Sequence, residues 1–177
     1  MFADANFRAE LNLSAVNSIN WARIMAQIVY YFAAGVALGA PHRPVAFTVP
    51  TGNFGNVFAA HMARRMGLPI AQLAIGTNRN DILARFLETG TMSMGAVEPS
   101  LSPSMDIQVS SNFERLLFEL KGRSGAAVSE AMRAFRATGT LPVSAAEWRE
   151  AQRLLDGHRV DDAGTTAEIA RTWQRTG

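Results

Sequence analysis

Residues 44–56 read Pro44-Val45-Ala46-Phe47-Thr48-Val49-Pro50-Thr51-Gly52-Asn53-Phe54-Gly55-Asn56, and this stretch decides the fold. Its first seven residues are rich in β-branched and aromatic side chains and are bounded by prolines, which predicts a short buried strand. The next six form a glycine- and asparagine-rich turn. From Asn56 onward, Val57, Phe58, Met62 and Met66 fall at helical spacing until Gly67 and Pro69 end the pattern, and Leu68 to Ile75 predicts a second strand. Strand, loop, helix and strand in this order imply a parallel pair, and hence an α/β domain.

On the N-terminal side, Asn17 and Ser18 are candidate N-caps for a long helix in which Ile24, Met25, Ile28, Val29, Phe32 and Val36 recur at helical spacing. The apolar-rich run Ile19 to Leu38 is interrupted by Asn20, Arg23 and Gln27, so it falls short of a membrane span. The first eight residues show neither a basic nor an apolar leader region, which leaves a cytoplasmic location as the expectation. On the C-terminal side, Asn80-Asp81 can cap a helix over Ile82–Leu87. Thr91 to Met105 is a long irregular loop of the kind that is usually functional. Ser111-Asn112 precedes a helix through Leu120, and the remainder is expected to be helical. Ser144-Ala145-Ala146-Glu147 and Thr165-Thr166-Ala167-Glu168 are two capping-box patterns within it.

The 177 residues are 48% hydrophobic and 18% charged, the balance of a folded globular domain, so disorder is excluded as the main reading. There is no cysteine, which removes disulfide frameworks, thiolate metal sites and cysteine nucleophiles. Three histidines, His42, His61 and His158, lie too far apart to suggest a metal site. Sixteen of the 17 cationic residues are arginine and one, Lys121, is lysine; they are scattered, with no aromatic stacking platform, so nucleic-acid binding is disfavoured.

A strand, then Gly52-Asn53-Phe54-Gly55-Asn56, then a helix start can hold a phosphate. The glycines permit positive φ and close backbone approach, successive N–H groups form a positively polarised nest, and the helix dipole adds to it. The loop carries no Lys or Arg, so backbone donors with Asn53 and Asn56 would do the binding, which suits a monophosphate. It lacks the Gly-Lys-Ser/Thr of a Walker loop and is not Gly-x-Gly-x-x-Gly. An ordinary strand–helix turn, with its glycines serving packing, is the other reading of the same residues.

Three blocks carry a family resemblance: Asn17-Ser18-Ile19-Asn20-Trp21-Ala22-Arg23-Ile24, Val49-Pro50-Thr51-Gly52-Asn53-Phe54-Gly55-Asn56, and Ser102-Pro103-Ser104-Met105-Asp106-Ile107-Gln108-Val109-Ser110-Ser111-Asn112-Phe113-Glu114-Arg115. In this order they closely resemble threonine synthase of the bacterial and fungal type. The resemblance implies a three-layer αβα domain of the fold type II pyridoxal 5'-phosphate (PLP) enzymes, with a parallel sheet, incomplete here, followed by C-terminal helices. It implies conversion of O-phosphohomoserine and water to threonine and phosphate. It makes Gly52, Asn53, Phe54, Gly55 and Asn56 the cradle for the cofactor phosphate and puts Asn17, Ser18, Asn20 and Arg23 near substrate. Simple capping by Asn17 and Ser18, and by Ser110, Ser111 and Asn112 in the third block, is an alternative to chemistry.

A PLP enzyme also needs a lysine for the Schiff base. Lys121 is placed to end a helix and reads as structural, so the catalytic lysine is expected outside these residues. Residues 1–177 are accordingly expected to form a single partial PLP-binding domain, a portion of a longer enzyme that is inactive alone. The competing readings are a serine or threonine dehydratase of the same fold type and a non-catalytic module that binds a phosphorylated metabolite. His61 reads as a packed histidine, Met92, Met94 and Met105 as gap-fillers or an entrance lining, and Trp148 and Trp173 as packing anchors.

Overall fold

The computed structural model describes residues 4–12 and 17–177. Residues 1–3, part of the N-terminal segment read as lacking a leader, lie outside the described residues. In chain order the elements are α1 (Ala5–Glu10), α2 (Trp21–Ala37), β1 (Val45–Pro50), α3 (Gly55–Arg65), β2 (Ile70–Thr77), α4 (Ile82–Thr89) and β3 (Met92–Ser93). A 3-10 turn at Pro103–Met105 follows, then α5 (Phe113–Leu120), α6 (Gly125–Thr138), β4 (Thr140–Leu141), α7 (Ala145–Leu154), β5 (Leu155–Arg159) and α8 (Asp162–Thr176). The expected α/β class holds, with a parallel sheet and helices around it.

The central sheet has the order β1-β2-β5, all parallel, with Val49 opposite Ile75 and Leu73 opposite Leu155. Leu73 and Ile75 are buried on the middle strand, where each apolar side chain contributes about 1.5–3 kcal/mol. Because the strands run the same way, the segments after β1, β2 and β5 gather at one end of the sheet, the end at which open α/β sheets bind ligands. β3 and β4 form a separate antiparallel pair.

Helix α2 packs on α3 through a stripe of Ile24, Ile28, Tyr31 and Gly35, spaced four, three and four residues apart. Gly35 lets the Leu68 side chain pack close to α2, since a Cβ would lie 2.8 Å from its Cδ1 and push it aside. The opposite face of α2 is also apolar yet exposed, with Met25, Val29, Tyr30 and Val36 all more than half accessible. No helix among the described residues is long and apolar enough to cross a membrane.

Several expectations need correction. The N-cap of α2 is Asn20, whose side chain accepts from the Ala22 amide at 2.9 Å; Asn17 instead accepts from the Ile19 amide one turn earlier. The stretch Leu155-Asp156-Gly157-His158-Arg159, expected to be helical, is a strand, because pairing with β2 overrides a weak local propensity. Gly157 fits that position uniquely: a Cβ would meet Cδ1 of Leu87 at 2.9 Å and Cα of Ala84 at 3.2 Å, so its absence lets α4 lie on β5.

The Thr165 capping box does not form. The chain enters α8 earlier, with Asp161 accepting from the Gly164 amide at 2.8 Å. Trp173, expected as a packing anchor, is 71% exposed. Trp148 does anchor, donating its indole N–H to the Leu87 carbonyl and lying over Gly90. The capping box at Ser144 and Glu147 forms as read. Lys121 caps the end of α5 and reaches across to Glu147 at 3.1 Å. Burial pushes the Glu147 carboxyl up, but the Ser144 amide and Lys121 hold it below its ordinary range.

Candidate functional site

Pro50 ends β1, and Thr51 is buried with its hydroxyl donating to the Val49 carbonyl. The next three carbonyls are all engaged. Gly52 O accepts from the Ser110 hydroxyl at 2.8 Å, and Asn53 O accepts from both the backbone N–H and the side-chain Nδ2 of Asn112 at 3.0 Å each. Phe54 O accepts from the Phe58 amide at 2.9 Å, the first bond of α3. A trans peptide is planar, with its C=O and N–H on opposite sides. Fixing these three carbonyls therefore turns the N–H groups of Asn53, Phe54 and Gly55 the other way. None of the N–H groups from Gly52 to Asn56 donates to a described residue, which leaves a row of donors at the start of a helix.

The turn is made differently from the expectation. Positive φ falls on Phe54, at +63°, and not on Gly52 or Gly55. A left-handed conformation at a residue with a Cβ costs about 1–2 kcal/mol. It persists here because Phe54 is 2% exposed and its ring stacks edge-on against Phe113, which stacks in turn against Phe86, at 5.5 and 5.3 Å. The ring is thus core, and only the backbone of Phe54 faces the loop. The glycines serve close approach instead: a Cβ on Gly52 would sit 3.0 Å from Ser104 O and 3.3 Å from Met105 Cα, and one on Gly55 would sit 3.3 Å from Asn112 Nδ2.

The loop borders a cleft of about 200 Å³ lined by residues 50–57 together with Ser18, Arg23 and Gln27. The expected substrate-side residues therefore divide. Ser18 and Arg23 reach the cleft wall, whereas the side chains of Asn17 and Asn20 are engaged in local turns. Arg23, for which no ion pair exists among the described residues, supplies the cation that the loop lacks.

Two residues that brace this wall were not singled out from sequence: Gln27, which lines it, and Tyr31, which stands behind Asn56. Asn56 is held between them: its Oδ1 accepts from the Tyr31 hydroxyl at 2.5 Å and its Nδ2 donates to Gln27 Oε1 at 2.9 Å. Burial pushes the Tyr31 phenol up to about 12, so it stays a donor. The signal was available, since Arg23, Gln27 and Tyr31 recur every fourth residue on one face of an otherwise apolar helix.

The third block does not cap α5 with its side chains; Asn112 makes no capping bond there. Ser110, Ser111 and Asn112 reach back to the loop instead, Ser111 donating to Asn53 Oδ1 at 3.2 Å. Asp106 fixes the segment in front of them, accepting from Asn78 Nδ2, Asn80 Nδ2 and both the amide and hydroxyl of Ser100. The Ser100 hydroxyl, chief among these donors, holds the Asp106 carboxyl below its ordinary range. Behind Asn112 opens a larger groove of about 760 Å³, lined by apolar residues of α3, α5 and α6 and by Trp21 and Arg115. Among the described residues no cluster of His, Asp and Glu could hold a metal ion.

A parallel α/β sheet flanked by helices is the fold of the fold type II PLP enzymes, and the chain superposes on solved structures of that class. The structure of PLP-bound threonine synthase from Brucella melitensis superposes with a TM-score of 0.96 at 52% identity, over all of this chain and 38% of that one. Yeast threonine synthase superposes at 0.83 with 41% identity, over 92% of this chain and 34% of its own. In sequence, threonine synthase of Pseudomonas aeruginosa is 58% identical over 176 residues, 99% of this chain and 38% of that protein. The Saccharomyces cerevisiae enzyme is 39% identical over 98% of this chain and 36% of its own length. No family model matches. In sequence and in fold, then, the chain is similar from end to end to a region of threonine synthase, and it spans a little over a third of the length of these relatives.

Proposed function

We propose that this chain is the phosphate-cradling region of a PLP-dependent threonine synthase, the enzyme that forms threonine and phosphate from O-phosphohomoserine and water. One observation carries the reading: the carbonyls of Gly52, Asn53 and Phe54 are tied to the protein while the N–H groups of the same loop have no partner among the described residues. Gly52, Asn53, Phe54, Gly55 and Asn56 would hold the cofactor phosphate, four of them through backbone N–H groups alone. Asn53 and Asn56 differ in their side chains: the Asn56 amide is already engaged by Tyr31 and Gln27, so its share is the backbone N–H at the start of α3. When bound, PLP supplies a sink for the electrons released at the substrate α-carbon.

Arg23 and Ser18 line the same cleft and are assigned to the anionic substrate, with Asn17 and Asn20 shaping the turn that delivers them. A guanidinium there both neutralises and orients a phosphate. Lys121, paired with Glu147, is not available as the Schiff-base lysine, so that group must come from polypeptide outside these residues and the chain alone is inactive. A cytoplasmic setting fits a biosynthetic enzyme of this kind.

The test is equilibrium binding of PLP and of inorganic phosphate to the purified chain, with threonine formation assayed alongside. Saturable binding of both, with no turnover, is expected. Failure of either anion to bind would remove the cradle assignment, and threonine production by the chain alone would overturn the assignment of the lysine to polypeptide outside these residues.

A further inference from the structure

Asn112 is fully buried, and both hydrogens of its Nδ2 and its Oδ1 are engaged. Nδ2 donates to Ser18 O at 2.9 Å and to Asn53 O at 3.0 Å, while Oδ1 accepts from Arg115 Nε at 3.1 Å. Its own backbone N–H also donates to Asn53 O at 3.0 Å. Arg115 is fixed in turn, donating from Nη2 to Ile19 O at 2.8 Å and lying over the Trp21 ring at 5.5 Å. One amide thus joins the turn before α2, the loop after β1 and the start of α5, segments separated by up to 94 residues.

We infer that Asn112 is a positioning residue that sets both the orientation of the cradle's donors and the spacing between the cradle and the Ser18–Arg23 wall, an inference that rests on the cradle reading above. Two donors on Asn53 O fix the plane of the Asn53–Phe54 peptide, and with it the direction of the Phe54 N–H. The same amide holds Ser18 O, so the two walls of the cleft share one anchor. Gly55 records the closeness of that anchor, since a Cβ there would press on Nδ2 at 3.3 Å. A role in helix capping does not explain the residue, because its side chain accepts from no backbone N–H of the first turn of α5.

Asn112→Leu removes both donors, keeps the branching of the side chain at Cγ and adds no charge beside the anion site. Arg115→Lys keeps the charge but loses the planar donor that orients the Asn112 amide, and serves where Asn112→Leu does not fold. Phe135→Leu, in the core on α6, is a control for general destabilisation. PLP affinity and melting temperature are measured for each. Asn112→Leu is expected to weaken PLP binding by about ten-fold or more, as fits the loss of its two Nδ2 bonds, and Arg115→Lys by about three-fold, as fits the loss of the bond that orients the Asn112 amide. Phe135→Leu is expected to lower the melting temperature with PLP affinity within about two-fold of the parent. PLP affinity unchanged in Asn112→Leu, or in Arg115→Lys where the first variant is unfolded, overturns the positioning role, as does an equal loss in Phe135→Leu. If the parent chain itself binds no PLP, the cradle reading falls and this inference with it.

Discussion

Two asparagine-rich turns leave the carboxyl end of the same sheet, Thr51–Asn56 after β1 and Asn78–Asp81 after β2, and both lead into helices. Both are also braced by the same later segment, residues 98–112. Their hydrogen bonding is opposite. After β2 the side chains are turned inward: Asn78 and Asn80 are 5% and 3% exposed and are engaged by Asp106, Ser100 and Glu98, while Asp81 is tied to Arg85 and Arg159. After β1 the carbonyls are turned inward and the N–H groups are left over. Composition therefore does not distinguish the proposed cradle from a structural knot; the two differ in the direction in which their peptide planes are locked.

The sharpest way to break the comparison is Gly52→Val. A Cβ at Gly52 would already press on Ser104 O and Met105 Cα, and branching forces the two segments apart. Overpacking of this kind costs about 1–3 kcal/mol, which here falls on the cradle geometry. PLP affinity should drop by about 100-fold, measured by titration, with the chain still folded by circular dichroism. Retained affinity would show that the loop does not hold the phosphate.

Asn80→Ala probes the other turn. It orphans the Glu98 N–H and carbonyl and removes one of the donors to Asp106, and should cost about 2 kcal/mol in denaturant unfolding. PLP affinity should stay within about two-fold, because Asn80 makes no bond to the Thr51–Asn56 loop. Equal loss of stability and affinity would merge the two turns into one unit and remove the contrast.

Tyr31→Phe should have a smaller effect on the cradle side. It deletes the donor to Asn56 Oδ1 and nothing else, costing about 1 kcal/mol of stability and weakening PLP binding by about three-fold as the first turn of α3 loosens. Unfolding curves and PLP titrations of the same preparation separate the two quantities.

How much of this was legible in the sequence follows from the range of the contacts. The β1–α3–β2 unit was readable because its strands are apolar runs and its helix ends at a glycine, all local signals. Strand β5 was not, since Leu155-Asp156-Gly157-His158-Arg159 has no strand propensity and becomes a strand only beside β2. The loop's identity as a candidate cradle was visible, but its mechanism was misassigned: positive φ falls on Phe54, and what holds that residue is a stack with Phe113 and Phe86 from distant helices. Ser110 and Asn112 looked like local caps because capping is what those residue types do near a helix start. Their partners lie 58 and 59 residues away, at Gly52 and Asn53.

The smallest expected effect separates the two turns by pH. His61, on the helix that begins at the cradle, is 8% exposed with neither ring nitrogen bonded among the described residues, and burial, together with Arg65, lowers its pKa below 6.5. A histidine held neutral in the fold takes up its proton more readily in the unfolded chain. Stability is therefore full above the ordinary value and falls as pH drops through the window beneath 6.5, by at most about 1.4 kcal/mol per pH unit. Asp81, after β2, has the other sign of charge. Burial pushes it up, but hydrogen bonds from Arg159 and Arg85 outweigh that and hold it below 3.8, so its contribution is complete above that value and is lost only in stronger acid. Unfolding free energy measured from pH 7.5 to 5 should thus decline in the parent and stay level in His61→Leu, whereas Asp81→Asn should leave that decline in place. A decline that persists in His61→Leu would assign the pH response to another group and detach it from the helix that carries the cradle.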